Sequence, residues 1–217
     1  MKKNIFLAAT LFAAGMLTFT GCSKDDDKGG GDANTGLSTL TIGGVIENGW
    51  ASFDPLEVTK ITAYIGNTKI AEADVTNAQF SMTLTALADN LLTVTSEIQA
   101  ELNVSNKNAK IATLQFLTID YDDYSVGKTK DSYKYTESYW YVNADVTITG
   151  TITDEDENSG NKYIDIDNFD LKLKKGWNVV TRTRVRSEKE VDGVTVYEEA
   201  GSYKTGEQVD GLTWMPW

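Results

Sequence analysis

The side chains that suggest chemistry in this chain, by their kind and their placement, are its carboxylates, its guanidinium groups and its aromatic rings. The 217 residues contain no histidine and one cysteine, Cys22, against 32 Asp and Glu and 20 Lys and Arg. Without histidine there is no Ser–His–Asp or Cys–His nucleophile, no imidazole base and no histidine-ligated zinc, copper or haem. A lone cysteine cannot close an internal disulfide. What survives is acid–base work by paired carboxylates, as in glycoside hydrolysis, and cation binding by oxygens alone. Stacking on aromatic rings needs neither charge nor metal.

Four constellations fit those chemistries. Tyr133, Tyr135, Tyr139 and Tyr141 share one parity. On a continuous strand they line a single face, which is either a platform for sugar rings or a face covered by another strand. Asp154, Asp156 and Asn158 stand at i, i+2 and i+4, with Asp165 at the twelfth position of a calcium-loop spacing. Such a loop needs glycine where Ser159 stands, and Gly160 comes one residue late, so the competing reading is a solvated hairpin end. Arg182, Arg184 and Arg186 also alternate. The Asp192-Gly193 dipeptide is a type I′ hairpin signal that places Arg186 opposite Glu199 and Arg182 opposite Tyr203. That makes either a charge ladder with a cation–π contact or an anion-binding strip. Trp214, Pro216 and Trp217 end the chain, as a docked segment or a partner-binding tail.

The N-terminus carries an address. Lys2 and Lys3 precede an uncharged apolar run from Ile5 to Leu17, the layout of a secretory signal and too short for a comfortable bilayer span. Phe19-Thr20-Gly21-Cys22 follows. This end resembles the lipobox of bacterial lipoproteins, with Phe19 where leucine is usual. The resemblance implies cleavage after Gly21 and acylation (diacylglyceryl and palmitate-type chains) on Cys22. Ser23-Lys24-Asp25-Asp26-Asp27 is similar to the surface-export signal of Bacteroidetes lipoproteins, implying an outer-membrane anchor facing outward. Residues 22–37 are polar and Gly-rich and read as a flexible tether spanning roughly 20 Å. Losing Lys2 and Lys3, and no acid, takes the net charge from −12 to −14. Such a surface repels nucleic-acid phosphates and anionic headgroups. Membrane contact is therefore expected through lipid alone.

The elements that must position these residues are strands. Val, Ile, Thr and Tyr alternate with period 2 along most of the mature chain, and no long amphipathic helix is visible. The expected class is all-β, an antiparallel β-sandwich or two small sandwich halves in series. The ranges are a signal at 1–21, the tether at 22–37, a small β module at 38–88 and a second antiparallel domain at 89–217, which can pack with the first as one unit. Asn77 to Leu84 resembles the closing strands of prealbumin-like, carboxypeptidase-regulatory-type modules, with Gln79 in place of the usual glycine. That similarity covers residues 39–84 and implies a scaffold without site residues of its own.

Even positions from Trp140 to Ile152 are the more apolar set, predicting one long strand with an even core face, an odd solvent face and a bend at Gly150. The apolar phase changes near Asn168, predicting a bulge. Thr95 to Leu102 is the best helix candidate. The functional expectation is a non-catalytic surface module for binding or assembly, with glycan as the candidate ligand and no cofactor. A structural accessory subunit of a surface complex is the alternative. A carboxylate-dependent glycoside hydrolase is the third reading, though no acid pair can be singled out from spacing.

Overall fold

The computed structural model describes residues 36–49, 53–94, 102–121 and 124–217. Cys22, the signal, nearly all of the tether and all of the helix candidate except Leu102 lie outside the described residues. Residues Asp32–Trp217 form one compact unit.

Fifteen strands are described: β1 (Leu40–Val45), β2 (Lys60–Ile65), β3 (Thr68–Asp74), β4 (Gln79–Leu84), β5 (Thr93–Val94), β6 (Asn103–Val104), β7 (Lys110–Leu114), β8 (Phe116–Ile119), β9 (Ser125–Lys130), β10 (Tyr135–Val142), β11 (Val146–Asn158), β12 (Asn161–Leu173), β13 (Gly176–Val191), β14 (Val194–Thr205) and β15 (Thr213–Pro216). One 3₁₀ turn, Asp89–Leu91, is the helical element among the described residues. The fold is an all-β sandwich. A two-stranded sheet, β1–β4, packs on a large sheet whose main path runs β3-β2-β8-β9-β10-β13-β14-β12-β11-β6.

Alternation explains the small sheet. Phe80, Met82 and Leu84 are buried while Gln79, Ser81 and Thr83 are exposed, and β1 pairs with β4 through its own buried Leu40 and Ile42. These side chains meet Ile61, Ala63, Leu114, Leu117, Ile119, Trp177 and Trp214 in one cluster. Residues before and after position 88 thus share a core. A second cluster fills the opposite face of the large sheet around Ile111, Val142, Ile148, Leu171 and Val180. We call these the sandwich face and the cleft face.

β10 lies between the two clusters, and that overturns the expected solvent face. Tyr139 and Tyr141 are 3% and 7% exposed, packed with Trp177 and Trp214 under the small sheet. Their shared parity is as expected; the covering sheet comes from residues far away in the chain. The long strand is also interrupted. β10 ends at Val142, and Asn143 to Asp145 bends the chain before β11 begins. Gly150 has φ +137°, but its strand pairs without a register shift.

The four longest strands form two hairpins in the order β13-β14-β12-β11. All neighbours pair antiparallel except β12 and β14, which are parallel. No bulge accompanies the phase change in β12: its pairing with β11 is continuous from Asn161 to Leu173. Phe169, Leu171 and Leu173 fill the cleft face, whereas Ile164 and Ile166 point to the other face, beyond the small sheet. The apolar set changes face because its covering changes, and the register does not slip. At the far end of this four-stranded ribbon the outer strands β11 and β13 are exposed on both faces, with Val185 58% exposed, while Val196 of the inner strand β14 is buried.

Candidate ligand-binding cleft

Cross-strand pairing assembles the site. Gly150, Phe169, Tyr203, Arg182 and Thr136 are successive partners across β11, β12, β14, β13 and β10. One transverse row therefore places an apolar ring, a phenol, a guanidinium and a hydroxyl side by side on the cleft face. Phe169 and Tyr203 are stacked, with centroids 4.7 Å apart and planes 7° from parallel. Trp140 lies 6.4 Å from Tyr203, tilted by 53°. The Arg182 guanidinium sits over the Tyr203 ring at 5.2 Å.

These rings floor an open cleft of about 260 Å³. Ile152 and Leu102 add apolar wall, and Thr113, Gln115, Thr136 and Ser138 supply polar groups. Trp140, Phe169 and Tyr203 are half-buried, Thr136 and Ser138 are buried, and Thr113 and Gln115 are exposed at the rim. Trp140 Nε1 donates to Ser138 Oγ at 3.0 Å, which holds the indole in place. The combination of half-covered aromatics with the Thr113 hydroxyl and the Gln115 amide at the rim suits a small ligand that is part apolar and part hydrogen-bonding.

The next rows carry charge. Arg182 Nη2 donates to Asp167 Oδ1 at 2.9 Å and to Glu199 Oε1 at 3.4 Å. Glu199 also receives Arg184 Nε at 2.7 Å as an ion pair and Arg186 Nε at 2.7 Å as a hydrogen bond. The Arg184 Nε–H is not aligned with that carboxylate, and Arg182 Nε has no hydrogen-bond partner among the described residues. Gly201 makes the Arg182–Asp167 pair possible: a Cβ there would overlap the Asp167 carboxylate and sit 2.9 Å from Arg182 Nε. Burial opposes the charge of Arg182, but Tyr203, Asp167 and Glu199 outweigh it and its pKa lies above the ordinary arginine value. Burial and the neighbouring Arg182 push Arg184 the other way, despite Glu199. Burial raises the Tyr203 phenol, so it stays a neutral hydroxyl.

The residues singled out from sequence fall in several places. The register of β13 and β14 is as expected: Arg186 faces Glu199, Arg182 faces Tyr203, and Gly193 has φ +79°. Tyr139 and Tyr141 are core, and Tyr135 is half-buried on their face, so these three form no exposed platform. Tyr133 stands apart in the turn before β10, its hydroxyl donating to the Pro216 carbonyl. The calcium-loop reading is corrected as well. Asp154, Asp156 and Asn158 lie on an extended strand, so alternate residues are about 7 Å apart along it and cannot wrap one ion. Asp165 is the cross-strand partner of Asp154, and the turn is Ser159-Gly160. No group of three or more acidic or thiol side chains is placed to hold a metal among the described residues. The terminal tail is docked: Trp214 is buried and donates to the Gly43 carbonyl at 3.1 Å, while Trp217 packs on Phe116 and Tyr133.

Trp140, Phe169 and Tyr203 were not singled out as a site. Tyr203 was placed opposite Arg182 by the hairpin register, but its contact with Phe169 depends on the parallel β12–β14 pairing, which leaves no local signal. No protein-family model, curated protein or solved structure matches the chain. No helix among the described residues is long and apolar enough to cross a membrane.

Proposed function

We propose that this protein is a non-catalytic, surface-displayed lipoprotein that binds glycan in the cleft of Trp140, Phe169 and Tyr203. The co-stacked Phe169 and Tyr203 beside a tilted indole carry this reading. Tyr203 lies between Phe169 and the Arg182 guanidinium, so the surface it offers is ring edge, with the half-buried indole beside it. Sugar C–H groups pack on such aromatic surfaces, and the Thr113 hydroxyl and Gln115 amide stand at the rim to meet sugar hydroxyls. Both carboxylates beside the cleft, Asp167 and Glu199, are held by guanidinium groups, which favours binding over acid–base catalysis. Cys22 would supply the lipid anchor and the segment after it the reach.

The test is a glycan array followed by titration of hits, using the full chain in detergent micelles. Trp140→Ala should abolish or strongly weaken binding. A chain that binds no glycan, or a Trp140→Ala variant that binds as well as the parent, sinks the reading. The anchor is tested separately: Cys22→Ala should leave the membrane fraction. A second reading, a structural subunit of a surface assembly, is favoured by the bare ribbon end around Val185, Val191 and Val194.

A further inference from the structure

Two residues along β13 from the cleft, a second concavity of about 280 Å³ opens at the sheet edge. It is lined by Ser132, Lys134, Arg184, Val185 and Arg186. Three of those five side chains are cations and none is an acid. In a chain of net charge −12 this is an unusual concentration of positive charge.

The pocket exists because β10 ends where β13 continues. Arg184 N donates to the Lys134 carbonyl at 2.7 Å, the last backbone bond on that side of β13. The turn before it holds three consecutive non-glycine residues in the left-handed region: Asp131 at φ +52°, Ser132 at +53° and Tyr133 at +68°. Such a run is costly and persists only where the surroundings fix it. Here the Tyr133 bond to Pro216 and the Trp217 ring packed against Tyr133 at 4.5 Å fix it. The result carries Ser132 and Lys134 to Arg184 and Arg186.

The donors there have capacity to spare. Arg184 meets Glu199 through Nε only, and neither of its Nη nitrogens has a hydrogen-bond partner among the described residues. Arg186 likewise uses Nε alone. Lys134 makes no ion pair among the described residues; its ammonium rests over the Tyr135 ring at 5.4 Å. Three guanidinium groups share two carboxylates, Asp167 and Glu199. An arriving oxyanion would meet free N–H groups of a planar fork and relieve the repulsion among them.

We propose that this pocket receives the acid group of the saccharide whose rings lie in the aromatic cleft, so that the ligand is an acid-bearing glycan, uronate or sulfated. The inference rests on the glycan reading. The spacing agrees with it: Arg182 in the cleft and Arg184 in the pocket are alternate residues of one strand, about 7 Å apart, within reach of neighbouring units of one saccharide chain.

The test uses the full chain in detergent micelles and three probes: trigalacturonate, its neutral methyl ester, and a sulfated galactose trisaccharide. At low salt at least one acidic probe should bind tenfold or more tighter than the ester, and that advantage should vanish in Arg184→Gln/Lys134→Gln. Melting curves check folding. Should the double variant not fold, the more exposed pair Lys134→Gln/Ser132→Ala should still remove part of the advantage. Trp140→Ala should weaken ester and acid alike. Equal affinity for ester and both acids overturns the acid-group inference and leaves the glycan reading standing. Acid binding that Trp140→Ala does not touch overturns the glycan reading and the joined site with it. Binding of no probe overturns both.

Discussion

The Tyr133 hydroxyl donates to the Pro216 carbonyl oxygen at 2.7 Å, across 83 residues of chain. This bond ties a strained turn to the last strand. Tyr133→Phe keeps the ring on Trp217 and removes only the bond, so urea denaturation should show a loss of about 1 kcal/mol. An unchanged midpoint would mean that ring packing alone holds the turn.

Tyr139 and Tyr141 fill the core between the sheets, so truncating either to alanine should cost about 3–5 kcal/mol. Tyr139 also donates to Glu137 Oε1 at 2.7 Å, and Glu137 pairs with Lys128, so its removal disturbs a partly buried charge network. Thermal melts of the two variants check this. Parent-like melting would restore the solvent-facing alternative for these rings.

Two glycines separate conformational from steric requirement. Gly193 has φ +79° with open space where a Cβ would stand. Gly193→Asn should be nearly neutral, since Asn tolerates this region, whereas Gly193→Val should cost about 1–2 kcal/mol. Gly176 has φ +106°, and a Cβ there would overlap the Leu37 carbonyl. That carbonyl accepts from Trp177 N at 2.8 Å, so Gly176→Ala should cost clearly more than Gly193→Ala. Comparable losses in denaturant would argue that the Leu37 bridge yields freely.

Acid should weaken the junction of β2 and β8 through Asp120. Burial acts to raise the Asp120 pKa, but the Thr59 hydroxyl and the backbone N–H groups of Lys60 and Thr59 outweigh it, and the value lies below the ordinary aspartate range. A depressed folded-state pKa stabilises above the unfolded value of about 3.9, and the contribution is lost as pH falls through the folded value. Asp120→Asn should be less stable than the parent at pH 7. Between pH 5 and pH 2 it should lose less. Parallel melting profiles across that range would remove Asp120 from the acid response.

Legibility followed the distance over which each feature is decided. The β13–β14 register needs only a two-residue turn, and Asp192-Gly193 spells it out, so Arg186 against Glu199 could be read directly. Parity along β10 was equally local. Which parity faces outward is decided by β1 and β4, and Tyr139 carries no mark of them. The even-numbered Trp140 packs on the second core cluster, as its apolar character predicts, and it also floors the cleft, because an open binding surface and a core face use the same residues. Likewise the change from Ile166 to Phe169 resembles a slipped register. A strand that runs beyond its covering layer produces the same pattern.

The position of β14 has a kinetic consequence. It is the last of the four long strands in chain order, yet it lies between β12 and β13, which are joined only by Lys174 and Lys175. Until Val194–Thr205 has been made, β12 and β13 have no native partner in each other, and pairing directly would be a misregistered trap. The β13–β14 hairpin is local and can close first. Its docking alongside β12 then joins residues some 34 apart in parallel, Lys162 with Val196 through Asp170 with Lys204. Such non-local parallel pairing is slower than closing a hairpin, so the four-stranded ribbon is completed only after this strand, and the facing edges of β12 and β13 stay unpaired until it docks.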